Sequence, residues 1–435
     1  MSEPFNTQPR TSRRKFLGVA AGGAAAAVSG AAALRSSPDD LIPNEPSSSP
    51  EATEQGAPVS PPRPLAAHAD VAGRTLVVIE LQGGNDALAT LVPRNAGTLY
   101  DRREAVHIPD EELLDFTDEF GWHPGLAPLL GHNIAAVLGL GATDNPDGSH
   151  FEMERRWWAG KSAGNDLPGT GFLGRLCDHL ATDQPVTGVS IGGSASPALR
   201  SDKSVTVGMG NPDASWFLRA EEPWFQNFRG AMLAMSGQRA INASPHEAAM
   251  SGLADTLAFA ESLGEVDQER IDERYPQSEL GSALGVAGEL IALDTGIRVI
   301  HVTHSGFDTH SSQRGEHGYL LEQLGEATGA FLSDLADRGK ADSTLVCTTS
   351  EFGRRVGANG SGTDHGAAGM AFLAGPVEAG VHGEAPSLTR LDDDNLIATV
   401  DFEQYYATIA EQWFGVASSE VLESAAAPID GIITT

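Results

Sequence analysis

Six short runs of β-prone apolar residues recur along the chain and limit what it can fold into. Thr75 to Leu81 (TLVVIEL) is apolar at consecutive positions, so both faces of the strand it forms must be covered. Ile134 to Leu140, Pro185 to Ile191, Ile297 to Thr303, Thr344 to Ser350 and Met370 to Gly375 have the same character. Between them, Leu253 to Leu263, Leu280 to Leu293, Tyr319 to Leu335 and Phe402 to Phe414 repeat apolar residues every three to four positions, the spacing of a helix face. The alternation predicts an α/β fold, a three-layer sandwich around a mostly parallel central sheet. Residues 195–276, which hold Trp216, Trp224 and several polar stretches, fit the alternation less well and are expected to form a mainly helical insertion. In such sheets ligands bind beyond the carboxyl ends of the strands, so that edge is where chemistry is to be sought.

Charge narrows the function classes. The 435 residues carry 28 Lys and Arg against 59 Asp and Glu, a net −31. A surface this acidic repels phosphate backbones, which argues against nucleic-acid binding through a basic face. The two cysteines, Cys177 and Cys347, are too few for a disulfide framework or a cysteine-rich zinc module, and both are expected as buried free thiols.

The charge is uneven. The first 35 residues hold five basic residues and one acid, so the other 400 carry −35. Ser12-Arg13-Arg14-Lys15-Phe16-Leu17 resembles a twin-arginine export signal, which implies the twin-arginine translocation machinery as a partner. Phe16 to Leu34 is long enough for a membrane span of about 20 residues. Its weakly apolar Ala and Gly, its basic front and the small residues near Ala31 to Ala33 favour a cleaved signal peptide, leaving no stable span; an uncleaved anchor is the alternative. Residues 36–73 are Pro- and Ser-rich and read as a solvated linker ahead of one α/β domain over 74–435. The expected location is the periplasm, the cell surface or the medium.

Four of the predicted strands end in polar residues. The first ends Gln82-Gly83-Gly84-Asn85-Asp86, where Asp86 is a metal ligand or the cap of a following helix. The second leads to Asp147-Gly148-Ser149-His150-Phe151-Glu152. Here Ser149 is a capping-box residue with Glu152, or a nucleophile at a helix N-terminus, and His150 is a site neighbour or a first-turn residue. After Ile297 to Thr303 come His304, Asp308 and His310; mixed N/O ligands of this kind suit zinc, manganese or iron better than calcium. The last ends Ser350-Glu351-Phe352-Gly353-Arg354-Arg355, followed by a glycine loop carrying Asp364 and His365. Arg354 or Arg355 is suited to clamp a phosphate or sulfate, or to pair with surface acids.

The order Asp, Ser, Asp/His, Glu, Asp-His resembles the alkaline-phosphatase and sulfatase superfamily. From residue 12 on, the chain resembles the exported bacterial family called "domain of unknown function 1501", through LVVIELQGGNDAL, GWHPGLAPLL, GSHFEMERRWW, TGFLGRL, FDTHSSQ, TSEFGRR and GTDHGAAGMAFLAG. The resemblance implies an alkaline-phosphatase-like fold and a metal-dependent hydrolase of small or polymeric anionic phosphate or sulfate esters. Ser149 would be the nucleophile, and Asp86, Asp308, His310, Glu351 and His365 the ligands of a divalent metal, zinc or manganese; the strand-end residues themselves add Asp364 as a further ligand and Arg354 as a clamp. Glu351-Phe352 stands where the superfamily has Asp-His, and Asp308-x-His310 is a shorter spacing than its norm. One metal, two or none therefore stay open, as does a non-catalytic exported protein that binds a glycan, metal or surface partner.

Overall fold

The computed structural model describes residues 71, 73–164, 166–180, 186–210, 223–235, 245–263, 266–424 and 426–434. The export segment and most of the linker lie outside the described residues.

The apolar runs become the strands of one nine-stranded sheet. In chain order its members are β1 (Thr75–Gln82), β2 (Ile134–Gly141), β3 (Gly188–Ile191), β4 (Thr206–Met209), β5 (Val299–Ser305) and β6 (Thr344–Thr349). A two-stranded hairpin apart from that sheet supplies β7 (Arg354–Asn359) and β8 (Gly362–His365). β9 (Gly369–Ala374), β10 (Gly380–His382) and β11 (Val400–Asp401) complete the main sheet. Across the sheet the order is β10-β2-β9-β6-β1-β5-β3-β4, with β11 also pairing β2. β1 lies at the centre, parallel to β5 and β6. Only β9 runs antiparallel to its neighbours in this sheet. The β7–β8 hairpin explains the reversal: it turns the chain around at the carboxyl edge, so β9 enters the sheet from the edge at which β6 left it.

Side-chain alternation along β1 sends Val77, Ile79 and Leu81 to one core and Leu76 and Val78 to the other. Five helices of the flanking layers are α1 (His150–Ala159), α2 (Phe172–Leu180), α3 (Glu279–Ala292), α4 (Gln313–Asp337) and α5 (Phe402–Thr408). α3 and α4 cover the first face with Leu284, Leu290, Leu321 and Phe331. α1, α2 and α5 cover the second with Trp157, Phe172, Tyr405 and Tyr406. Each such side chain, fully buried, contributes about 1.5–3 kcal/mol by removal from water. The predicted three layers are thus present. The helix expected over Phe402 to Phe414 passes into one π turn, Ile409–Trp413.

Residues 195–276 are not helical throughout. β4 is an edge strand of the main sheet, followed by helices at Pro223–Met235, Pro245–Ser262 and Gln268–Arg274. Cys177 and Cys347 are buried and unpaired. Among the described residues, no helix is long and apolar enough to cross a membrane.

Candidate metal centre

β1, β2, β5 and β6 run the same way, so the polar segments that follow them meet at one edge of the sheet. The meeting is close. Gly83 has φ +119°, and a Cβ there would lie 2.3 Å from the Asp308 backbone nitrogen, so only glycine lets the β1 and β5 loops touch. Gly362 plays the same part for the hairpin: a Cβ would sit 2.1 Å from the His310 backbone.

At this edge Asp308 is the hub. Its Oδ1 lies 3.0 Å from His310 Nε2 and 3.0 Å from His365 Nε2, and its Oδ2 lies 3.4 Å from His150 Nε2. His150, Asp308 and His365 bring one ligand atom each within 4.8 Å of one another. Behind each imidazole stands an acceptor for its other nitrogen. His150 Nδ1 is 2.8 Å from Glu351 Oε1, His310 Nδ1 is 3.3 Å from Asp364 Oδ1, and His365 Nδ1 is 2.7 Å from the Gly148 carbonyl. Carbonyl and carboxylate oxygens only accept, so each ring has an acceptor at both nitrogens: these partners at Nδ1 and Asp308 at Nε2. The three Nε2 atoms face Asp308. Two of them, on His310 and His365, are 2.9 Å apart. At that separation the two nitrogens share a proton or a cation. Carboxylate–imidazole pairs of this kind are the usual support of a metal-binding histidine.

The electrostatics agree. Burial raises the Asp308 carboxyl, but hydrogen bonds from Arg354 and His365 outweigh this and hold it down at about 2. Glu351, by its hydrogen bond, raises the His150 imidazole against the effect of burial.

The expected ligands divide into two sets. Asp308, His310 and His365 point their donor atoms at one another. Glu351 and Asp364 stand behind His150 and His310, and Asp364 is also held by the Asn359 amide at 3.0 Å. Asp86 belongs to neither set. It is 1% exposed and caps the helix Ala87–Thr90 through the Leu88 N–H. Its carboxylate also takes Arg103 Nη1 at 2.6 Å and Gln313 Nε2 at 2.5 Å.

Arg354 is likewise committed. Its guanidinium, with none of the side chain exposed, donates to the carbonyls of Gly83, Gly84, Phe307 and Thr363 and to Asp308 Oδ1 at 2.8 Å. A clamp on substrate oxygens needs free donors; here they tie the β1 and β5 loops together and steady Asp308.

Ser149 is the exposed N-cap of α1, and its hydroxyl makes no capping hydrogen bond. Glu152, the partner a capping box would need, is drawn to Arg156 at 3.0 Å. Ser149 lies between Gly148, which holds His365, and His150, which faces Asp308. His150 is the residue whose part sequence reasoning left open; its place beside Ser149 in a first turn was the available signal. Arg103, which closes over Asp86, gave no signal, because it adjoins no predicted strand end; Gln313 stands in FDTHSSQ, where the acid and the histidine gave the stronger signal.

No curated protein matches the sequence. Several solved structures resemble the chain. The PsFucS1 sulfatase from Pseudoalteromonas sp. has a TM-score of 0.36 at 10% identity, over 80% of this chain and 68% of that one. The alkaline phosphatase from the Antarctic bacterium TAB5 has a TM-score of 0.32 at 10% identity, over 71% and 94%. The phosphonate monoester hydrolase SpPMH from Silicibacter pomeroyi has a TM-score of 0.34 at 11% identity, over 79% and 73%. In sequence, residues 121–422 match the family model described as protein of unknown function (DUF1501). That match covers more than half of the chain, and the protein belongs to the DUF1501 family.

Proposed function

We propose that this protein is an exported, metal-dependent hydrolase of phosphate or sulfate esters in which Ser149 is the nucleophile. The observation that carries the reading is the convergence of three imidazole Nε2 atoms on Asp308, with His310 and His365 only 2.9 Å apart. This donor set fits one divalent ion of the zinc or manganese kind. Such an ion supplies a Lewis acid that lowers the pKa of a nearby hydroxyl and offsets negative charge on a leaving oxygen.

The rest is the work of the chain. Asp308 and the three histidines hold the ion, and Glu351, Asp364 and the Gly148 carbonyl orient the rings. Arg354 keeps Asp308 in place. The N–H groups of the first turn of α1, left free by a hydroxyl that does not cap, receive the equatorial oxygens of the ester. Ser149 Oγ attacks phosphorus or sulfur, its proton passes through solvent to the ester oxygen that leaves as an alcohol, and water then cleaves the serine ester, restoring the hydroxyl and releasing phosphate or sulfate. Asp86 takes no part in binding the ion, because Arg103 and Gln313 already occupy its carboxylate. The protein therefore binds one equivalent of metal. Export rests on the twin-arginine pattern at Arg13-Arg14.

Elemental analysis of protein recovered from its native host, followed by turnover of aryl phosphate and aryl sulfate, tests this. One equivalent of metal and turnover abolished in Ser149→Ala are expected. Metal-free protein, or turnover that survives Ser149→Ala, overturns it. A second reading, binding of an anionic glycan without turnover, is favoured by the full commitment of Arg354, which leaves the site without that cation for substrate. Saturable glycan binding with no hydrolysis would select it.

A further inference from the structure

Beneath Glu351 lies a buried polar group that the proposed chemistry does not use. On β1, Glu80 Oε2 is 3.0 Å from His301 Nε2, and Glu80 Oε1 accepts from Trp158 Nε1 at 2.8 Å. On β3, the Ser190 hydroxyl lies 3.4 Å from His301 Nδ1. His301 sits opposite Ser190 in the ladder and is 3% exposed. Burying an ionisable pair costs free energy, so its presence asks for a purpose.

A cavity of about 10 Å³, room for one water, adjoins the pair; Glu80, His301, Thr349, Ser350 and Glu351 form its polar wall and Ala198 part of its apolar wall. Glu351 reaches this wall with one oxygen poorly served. Oε1 accepts from the Gly83 N–H at 2.8 Å and meets His150. Oε2 has the Ser350 hydroxyl at 3.4 Å, but that hydroxyl's single proton goes to the Leu81 carbonyl at 2.8 Å. A carboxylate oxygen in a 3%-exposed residue wants a donor. The neighbouring Glu154 carboxyl, raised first by burial and then by the charges of Glu351 and Glu80, feels both of these carboxylates at once.

We propose that Glu80 and His301 are positioning residues for the metal centre: they hold a water in this cavity that donates to Glu351, and Glu351 so fixed orients His150. This rests on the metal reading above. The chain of command runs from a buried pair on β1 and β5, through one water, to the carboxylate behind His150. It gives the occupied interior of the sheet a say in how firmly the exposed edge holds its ion.

The test is zinc affinity of the full chain at neutral pH, by competition with a chromophoric chelator, in the native protein, Glu80→Gln, His301→Gln and Ala198→Val. Glu80→Gln keeps the shape of the side chain, and Ala198→Val fills the cavity without touching the polar groups. About 10- to 100-fold weaker binding is expected in all three, the usual cost of losing an outer partner of a metal ligand. The cobalt(II) absorption spectrum should change in Glu80→Gln while the melting midpoint of the metal-free protein stays near native, which a purely structural role would not produce. Zinc affinity within twofold of native in Glu80→Gln overturns the proposal. Native affinity in Ala198→Val alone overturns the water link. If the native protein binds neither zinc nor manganese, it is the metal reading that fails.

Discussion

Asp86 and Asp308 follow adjacent strands of the same sheet, and each meets a guanidinium, yet the structure gives them opposite fates. Asp86 is sealed: Arg103, Gln313 and a helix N–H take its oxygens, and it is 1% exposed. Asp308 meets Arg354 on one oxygen and three imidazoles besides, and nearly half of its side chain is open to solvent. A carboxylate at a strand end is thus sealed or open according to what closes over it. Cation and amide donors from distant segments make Asp86 part of the scaffold. Three imidazole Nε2 atoms turned inward leave Asp308 half-exposed.

The sharpest way to break this contrast is Asp86→Ala. It leaves Arg103 buried without its counter-charge and should cost about 3–5 kcal/mol in chemical denaturation, while the metal content of the folded fraction stays native. Loss of metal with stability intact would put Asp86 back among the ligands.

A second test uses the buried histidines beneath the same edge. Burial holds the imidazole of His123 down at about 4 and that of His317 at about 3, from an ordinary 6.5. The unfolded chain takes up protons as pH falls through 6.5, while the folded chain does not until the lower values. The stability these neutral rings contribute is complete above pH 6.5 and is lost as pH falls toward 4 and then 3. The slope is about 1.4 kcal/mol per pH unit for each ring, or about 3 kcal/mol in all for His123. Denaturant midpoints between pH 7 and pH 4 should fall in the native protein and fall less steeply in His317→Gln. Equal slopes would show that the rings charge in place.

His310→Gln sharpens the contrast from the other side. It removes one of two facing Nε2 atoms and should weaken zinc about 10- to 100-fold in chelator competition, or about 1.4–2.7 kcal/mol. Unchanged affinity would confine the ion to His150, Asp308 and His365. The smallest expected effect is on stability in Asp308→Asn. The carboxylate is half-exposed and the buried Arg354 is still held by four carbonyls, so the loss should stay within about 1 kcal/mol in thermal unfolding, while metal is lost. A drop several times larger would make Asp308 a structural residue after all.

Much of this was legible in the residues. β1, β2 and β6 match their predicted runs to within one residue at each end, because strands covered on both faces read as nearly continuous apolar runs. The reversal of β9 was not legible, since its direction was set by a hairpin whose residues read as a glycine loop. Ser149 and His150 were visible as a helix start, but their roles depended on whether the hydroxyl turned to the backbone and where the imidazole pointed.

The sequence by itself determined the layered α/β architecture, the carboxyl edge as the place of the site, and the segments that meet there, because periodicity and strand direction are local or follow from covering two apolar faces. Tertiary structure alone decided which acids are free. That depends on donors such as Arg103, Gln313 and Arg354, brought from 17 to 227 residues away. A side chain's chemistry is set by the partner that reaches it first, and that partner is chosen by the packing of the whole chain.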